Sequence, residues 1–348
     1  MLRAIFGTDN ALKTTNPVVA TVAFPDWWST SGLPGAGQGT NIARCAIDQD
    51  GWISALSNGQ DQMVPIFLNG LVPNNPNKLT IGYRIKTLVA YASAHSICHL
   101  TADTTPNDLT CYMYSAGSAG APWLTGIGTE YYVEHTYDFV TGVVATWVNG
   151  VAIANYTPPA MSAGSKAAFV AGTGCLMFRL GTSAGGRYAI RDIYVLDDIA
   201  GDGMTGPVGS HRMYPVTLDA ATGAGWTAAG GGTIMDTLNA PLPATNAVTS
   251  ATDKTPLDTS LKHSIPAGSR IAAVKLSLTG RSLGDAASSS KVEVTQGGTT
   301  LAAKFPTSPN TAQAASQISL LTKAPDGATW TLAKLDATAV KLTPDTSV

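Results

Sequence analysis

The sequence predicts an all-β protein of two domains: an N-terminal antiparallel sandwich followed by a smaller C-terminal β-sandwich. Three observations predict it. Short strand-like runs recur along the chain with Gly, Pro and Asn turns between them. No segment holds a 3.6-residue apolar period for three turns, so long amphipathic helices are not expected. The composition fits many short strands and tight turns: of 348 residues, 36 are Gly and 20 are Pro, and only 13% are charged against 44% hydrophobic.

The expected strands of the first domain follow in order: Val18–Phe24, Ile42–Ile47, Val64–Leu68, Leu79–Leu88, Leu109–Tyr114 and Glu130–Phe139. Next comes a hairpin in "TGVVATWVNGVAIANYT", residues 141–157. Asn149-Gly150 is the preferred pair for a two-residue type I′ turn, because both positions need φ > 0. That register puts Val148 opposite Val151, Thr146 opposite Ile153 and Val144 opposite Asn155. Both faces are mostly apolar, which predicts an interior hairpin covered on both sides, with Trp147 as a core indole. Removing such an indole would cost on the order of 3–5 kcal/mol. Two more strands, Cys175–Leu180 and Arg187–Leu196, close the domain.

After Leu196 the composition shifts to a Gly-rich loop, one further strand in "HRMYPVTL" and irregular Ala/Thr/Pro-rich sequence. A second strand series begins near Ile271. The expected organisation is an N-terminal arm over 1–17, a larger antiparallel sandwich over 18–218 and a small sandwich over 219–348. The arm and the second domain, poor in aromatics and with sheet edges to cover, are the expected contacts to copies or neighbours.

Several functions are disfavoured. A net charge of −2 offers no basic stripe for nucleic acid. No run approaches a membrane span, and the opening "MLRAIFGTDN" lacks an export signal, so synthesis in a cytoplasm is expected. Cys45, Cys98, Cys111 and Cys175 have no metal or disulfide-scaffold spacing and are read as reduced thiols, although a Cys98–Cys111 bridge is conceivable. His99 beside Cys98 points to the opposite strand face, so the two make a poor catalytic pair.

Motifs with chemical potential also fall to structural readings. Gly181–Gly185, "GTSAG", matches G-x-S-x-G around Ser183, but a nucleophile elbow needs strand-turn-helix and a strand follows here. Gly201–Gly206, "GDGMTG", matches G-x-G-x-x-G without the helix that pyrophosphate binding needs, and Gly35–Gly39 is weaker. Asp48–Gly51 opens like a calcium loop, but Trp52 stands where an oxygen ligand belongs. Asp192, Asp197, Asp198 and Asp202 could gather round a structural cation, with loop solvation the plainer reading. Asn155-Tyr156-Thr157 is a sequon without meaning unless the chain is secreted. His95, His99, His135, His211 and His263 lack ligand spacing. Trp27, Trp28, Trp52, Trp123 and Trp147 are read as core, with sugar stacking as the alternative. Glu130 and Glu134 share a strand face, read as a solvated edge and not as an acid/base pair. No catalytic, cofactor or metal residues are assigned.

"YDFVTGVVATWVNGVAIANYT" followed by "YAIRDIYVLDD" resembles the second half of a laminin-G-like, concanavalin-like jelly roll. The continuation through "GDGMTGPVGSHRMYPVTL", "GAGWTAAGGG", "IAAVKLSLTGRSLGDAASSSKVEVTQGGT" and "APDGATWTLAKLDATAVKL" resembles the LamG-like virion proteins of tailed bacteriophages. The resemblance covers about residues 130–348. It departs at "SHRMYP", where an acidic residue is expected and Pro215 interrupts a run that should pair. It implies a non-enzymatic virion protein, made in the host cytoplasm and displayed on the particle as a capsid decoration, head, tail, collar or baseplate component. Its partners would be other virion proteins and copies of itself. The alternatives are a carbohydrate-binding host adhesin and a glycan-cleaving enzyme of the same fold.

Overall fold

The computed structural model describes residues 2–6, 45–55, 62–67, 77–89, 98–101, 126–156, 175–181, 186–199, 204, 206–239, 248–250, 255–280, 288–307 and 315–345. The expected strands Val18–Phe24 and Leu109–Tyr114 lie outside these residues, as do Ser183, Asp202, Cys111, Trp27, Trp28, Trp123, His95 and the 35–39 glycines. The chain divides into two compact units, 1–213 and 214–348. Both are antiparallel β.

The first unit contains β1 (Leu2–Phe6), β2 (Cys45–Ile47), β3 (Ile53–Ala55), β4 (Gln62–Phe67), β5 (Lys78–Val89), β6 (Cys98–Thr101), β7 (Glu130–Asp138), β8 (Val144–Val148), β9 (Val151–Tyr156), β10 (Cys175–Gly181) and β11 (Arg187–Asp197). The main sheet runs β2-β3-β11-β5-β7-β8-β9, with β1 on another stretch of β11. A second layer, β4-β10-β6, joins it through the β10–β11 hairpin at Gly181 and Arg187. Side chains alternate along each strand, so Leu79, Ile81, Tyr83 and Ile85 share one face of β5, and all four are buried. The Tyr83 ring meets Phe178 of β10 edge-on at 4.8 Å, which shows this face to be the seam between the layers. Burying each such side chain stabilises the fold by roughly 1.5–3 kcal/mol.

Two expectations need correction here. Leu2–Phe6 is no free arm: it pairs antiparallel with residues 193–196 of β11 in the same chain. The hairpin turn is as expected, with Asn149 at φ 51° and Gly150 at φ 79°, and with Val148 opposite Val151 and Thr146 opposite Ile153. Beyond that pair the register shifts, placing Val144 opposite Tyr156 in place of Asn155. Nor is the hairpin covered on both sides. Val144, Thr146 and Val148 are buried, while Val151 is 70% exposed, Ala152 is exposed and Trp147 is only half-buried. Small Ala145 and Ala152 make the outer face look apolar without requiring a layer on top of it.

The second unit contains β12 (Val216–Thr222), β13 (Trp226–Ala228), α1 (Ile234–Leu238), β14 (Val248–Ser250), β15 (Leu257–His263), β16 (Val274–Gly280), β17 (Ser288–Gln296), β18 (Thr299–Thr307), β19 (Ala315–Leu321), α2 (Leu332–Asp336) and β20 (Thr338–Asp345). A five-stranded sheet runs β12-β15-β20-β17-β18, and β13–β14 and β16–β19 form separate pairs. Trp330, with Ile271, Ala324 and Leu335, centres one core cluster. Its indole N–H donates to the Leu321 carbonyl at 2.9 Å, satisfying the one polar atom it buries. Pro215 does not disrupt β12, because the strand begins one residue after it. Both helices are single turns capped by threonine: the Thr233 and Thr331 side chains accept from the Asp236 and Lys334 amides.

Candidate functional site

The outward face of β5, β7 and β11 carries polar side chains in place of a second apolar core. Its geometry begins with a bulge. Asp192 takes φ 53°, and the β11–β5 register shifts between Arg191 and Tyr194. The extra residue sets Arg191 and Asp192 beside Arg84 of β5 and Glu130 of β7.

These four side chains close a ring of opposite charges. Arg84 pairs through Nη1 with Glu130 Oε1, and Arg191 Nη2 lies 3.1 Å from Glu130 Oε2. Asp192 Oδ2 lies 3.5 Å from Arg84 Nε and 3.7 Å from Arg191 Nε. Burial pushes the Glu130 carboxyl up, but the Arg84 hydrogen bond and the charges of Arg191 and Arg84 outweigh it and hold the group below the usual range. The Arg191 guanidinium stacks 4.3 Å from the centre of the buried Trp52 ring, and Lys86 Nζ stands 4.4 Å from the same ring.

Next to the ring lies Glu134, 1% exposed. It accepts from the Tyr194 hydroxyl, from the Val208 N–H at 2.5 Å and from the Gly209 N–H at 3.1 Å. Residues 206–213 therefore form a strap across the sheet. Ser210 Oγ and the His211 carbonyl accept from Arg84 at 3.0 and 2.8 Å, and the Met213 N–H donates to Asp192 Oδ1 at 3.2 Å. His211 Nε2 is 2.8 Å from the Asp192 carbonyl oxygen, so it must donate; Nδ1 then accepts from the Tyr132 hydroxyl at 3.0 Å. The close fit needs two glycines. A Cβ on Gly82 would lie 2.0 Å from Tyr194 Cε1, and one on Gly206 would lie 2.5 Å from Thr80 Oγ1. Burial and the neighbouring Glu134 raise the hydroxyl pKa of Tyr194; burial, Tyr194 and Glu134 raise that of Tyr132.

The sequence readings fare unevenly against this site. Glu130 and Glu134 do share a face, but not at a solvated edge. β7 lies between β5 and β8, and the strap seals Glu134. Most of the Gly201–Gly206 motif lies outside the described residues; just after it, the Val208 and Gly209 N–H groups donate to the Glu134 carboxylate. Asp192 is a strand residue paired with two arginines, not loop solvation. Asp197 and Asp198 instead accept local or neighbouring backbone N–H groups, from Ile199 at 3.1 Å and Asn77 at 3.0 Å. Asp48 folds a tight turn by accepting from the Asp50 and Trp52 amides. Strand follows strand around Gly181. Cys98 is buried, and Cys111 lies outside the described residues. His135, also buried, bridges the Tyr83 hydroxyl at 3.0 Å and Thr146 Oγ1 at 2.9 Å. Among the described residues no three His, Cys, Asp or Glu side chains gather as a metal site.

No family model matches the chain, and no curated protein matches it. Among solved structures it is similar to an alginate lyase, Aly36B, in complex with an alginate trisaccharide, at 10% identity over 56% of this chain and 98% of that one, TM-score 0.33. It is also similar to the botulinum neurotoxin serotype G binding domain, at 8% identity over 86% of each chain, TM-score 0.30. A third is the tandem CBM22 domain of Xyn10C from Paenibacillus barcinonensis, at 12% identity over 99% of this chain and 89% of that one, TM-score 0.24. No residue role is carried over from them.

Proposed function

We propose that this chain is a non-catalytic binding protein that works through the surfaces of its two β units. The observation that carries the reading is the engagement of the sheet-face carboxyl groups. Glu130 and Asp192 are held by Arg84 and Arg191, and Glu134 by a tyrosine and two backbone amides. A glycan-cleaving acid/base pair needs two carboxyl groups facing a cleft that admits substrate and water. Here the strap fills the space in front of Glu134.

The finer reading is a structural protein of a tailed-phage virion, exposed on the particle and held by contacts with other virion proteins and with its own copies. The run from the 130–156 strands through the glycine-rich strap into the second unit supports it, being the order that resembles that family. Immunogold labelling of tailed particles purified from the native source tests it. Gold on the particle surface is expected; a chain that stays in the soluble fraction, absent from purified particles, overturns it.

A second reading, adhesion to a host glycan, is favoured by Trp147, which is half-buried on the outer face of β8 beside exposed Ala152. Such an indole can stack on a sugar ring. Under that reading Trp147→Ala abolishes glycan binding with little change in melting temperature. Equal glycan binding by both proteins would remove it.

A further inference from the structure

We propose that the 206–213 strap is an acid-operated latch: protonation of His211 releases it from the polar face while the sandwich beneath stays folded. The described hydrogen bonds of the strap to the sheet are made by a few polar groups. They are the Val208 and Gly209 amides on Glu134, Ser210 and the His211 carbonyl on Arg84, the Met213 amide on Asp192, and the His211 ring. Val208, its large apolar residue next to these contacts, is 39% exposed. Little apolar burial therefore opposes opening.

His211 is the member of this set that titrates nearest neutrality in solution. Its closed site favours the neutral ring, in which Nε2–H donates to the Asp192 carbonyl and Nδ1 accepts from the Tyr132 hydroxyl; a proton on Nδ1 would force that hydroxyl to turn round and accept. The rings of Tyr132 and Tyr194 stand edge-on to it at 5.0 and 4.7 Å. The groups facing it are Arg84 from β5, Glu130, Tyr132 and Glu134 from β7, and Arg191, Asp192 and Tyr194 from β11. The two arginines neutralise Glu130 and Asp192, and Glu134 is committed to Tyr194 and the strap amides. A proton on His211 therefore adds charge to a desolvated place beside a guanidinium. Burial, and to a lesser degree Arg84, pushes its pKa down to about 4, whereas burial in the inner layer takes His135 lower still, to about 3.

The test is hydrogen exchange at the Val208 and Gly209 amides, corrected for intrinsic rates, compared with β5 amides such as Ile85. With the open strap titrating near 6.5, lowering the pH from 7 to 5 raises the strap opening constant about twenty-fold. The β5 amides stay better protected than the strap amides at both pH values, losing only what the fall in overall stability takes from them. The rise persists in Glu134→Gln and disappears in His211→Gln. Three results each overturn the proposal: a rise under about three-fold in the wild-type protein, the same opening constant for the strap and β5 at pH 5, or a rise that survives His211→Gln but vanishes in Glu134→Gln. The first two need only the unaltered chain, so a variant that fails to fold leaves the test intact.

Discussion

Glu134 stands on an interior strand opposite Gly82 and Trp147, and what satisfies it comes from far along the chain: Tyr194 and the amides of residues 208 and 209. That is why the sequence reading left it at a solvated edge. A lone Glu on a strand is normally hydrated, and no local pattern announces a strap 74 positions later. Gly82 was silent for the same reason, since its need is set by the Tyr194 ring lying on it. Gly82→Ala is expected to cost about 1–3 kcal/mol as overpacking. Most of that cost should vanish in a Tyr194→Ala background, because one contact couples the two sites; strictly additive denaturation free energies would show that the close approach is absent. The histidines set a pH dependence at this scale. Burial lowers His135 to about 3, and burial with Arg84 lowers His211 to about 4. Both folded values lie below the unfolded value near 6.5, so the unfolded chain binds more protons in between. Stability is full above pH 6.5 and falls as the pH drops toward 4, by about 1.4 kcal/mol per pH unit for each histidine. Urea midpoints across that range check this; His135→Gln should halve the slope, and a flat profile would contradict it.

At the scale of elements, strands were legible where side chains alternate or where a turn has a demanding backbone. The β8–β9 hairpin was readable from Asn149-Gly150 alone, because few residue pairs accept two positive φ values. Its tip is also tied to β7, with Asn149 Oδ1 accepting from the Tyr132 N–H at 2.8 Å. Gly150→Ala should cost about 1–2 kcal/mol by forcing a Cβ into the left-handed region. An unchanged melting temperature would show that the turn is of another type. The helices α1 and α2 escaped notice because each is a single turn, too short to display a 3.6-residue period. The edge position of β9 was illegible too: whether an apolar strand face is covered depends on what lies beyond it, not on the strand itself.

For the whole molecule, the two-part all-β architecture was readable from composition and strand rhythm, since low charge and abundant Gly and Pro leave few other ways to fold so long a chain. The polar face was not, because it is assembled from β5, β7, β11 and the strap, which lie far apart in the sequence. The central claim is that its carboxyl groups hold the strap and do no chemistry. The direct measurement incubates the intact chain and Glu134→Gln with a panel of acidic and neutral oligosaccharides and follows product mass. No cleavage by either protein is predicted, together with a lower melting temperature for Glu134→Gln. Oligosaccharide cleavage by the wild-type chain, lost in a Glu134→Gln variant that melts at the same temperature, would contradict the account.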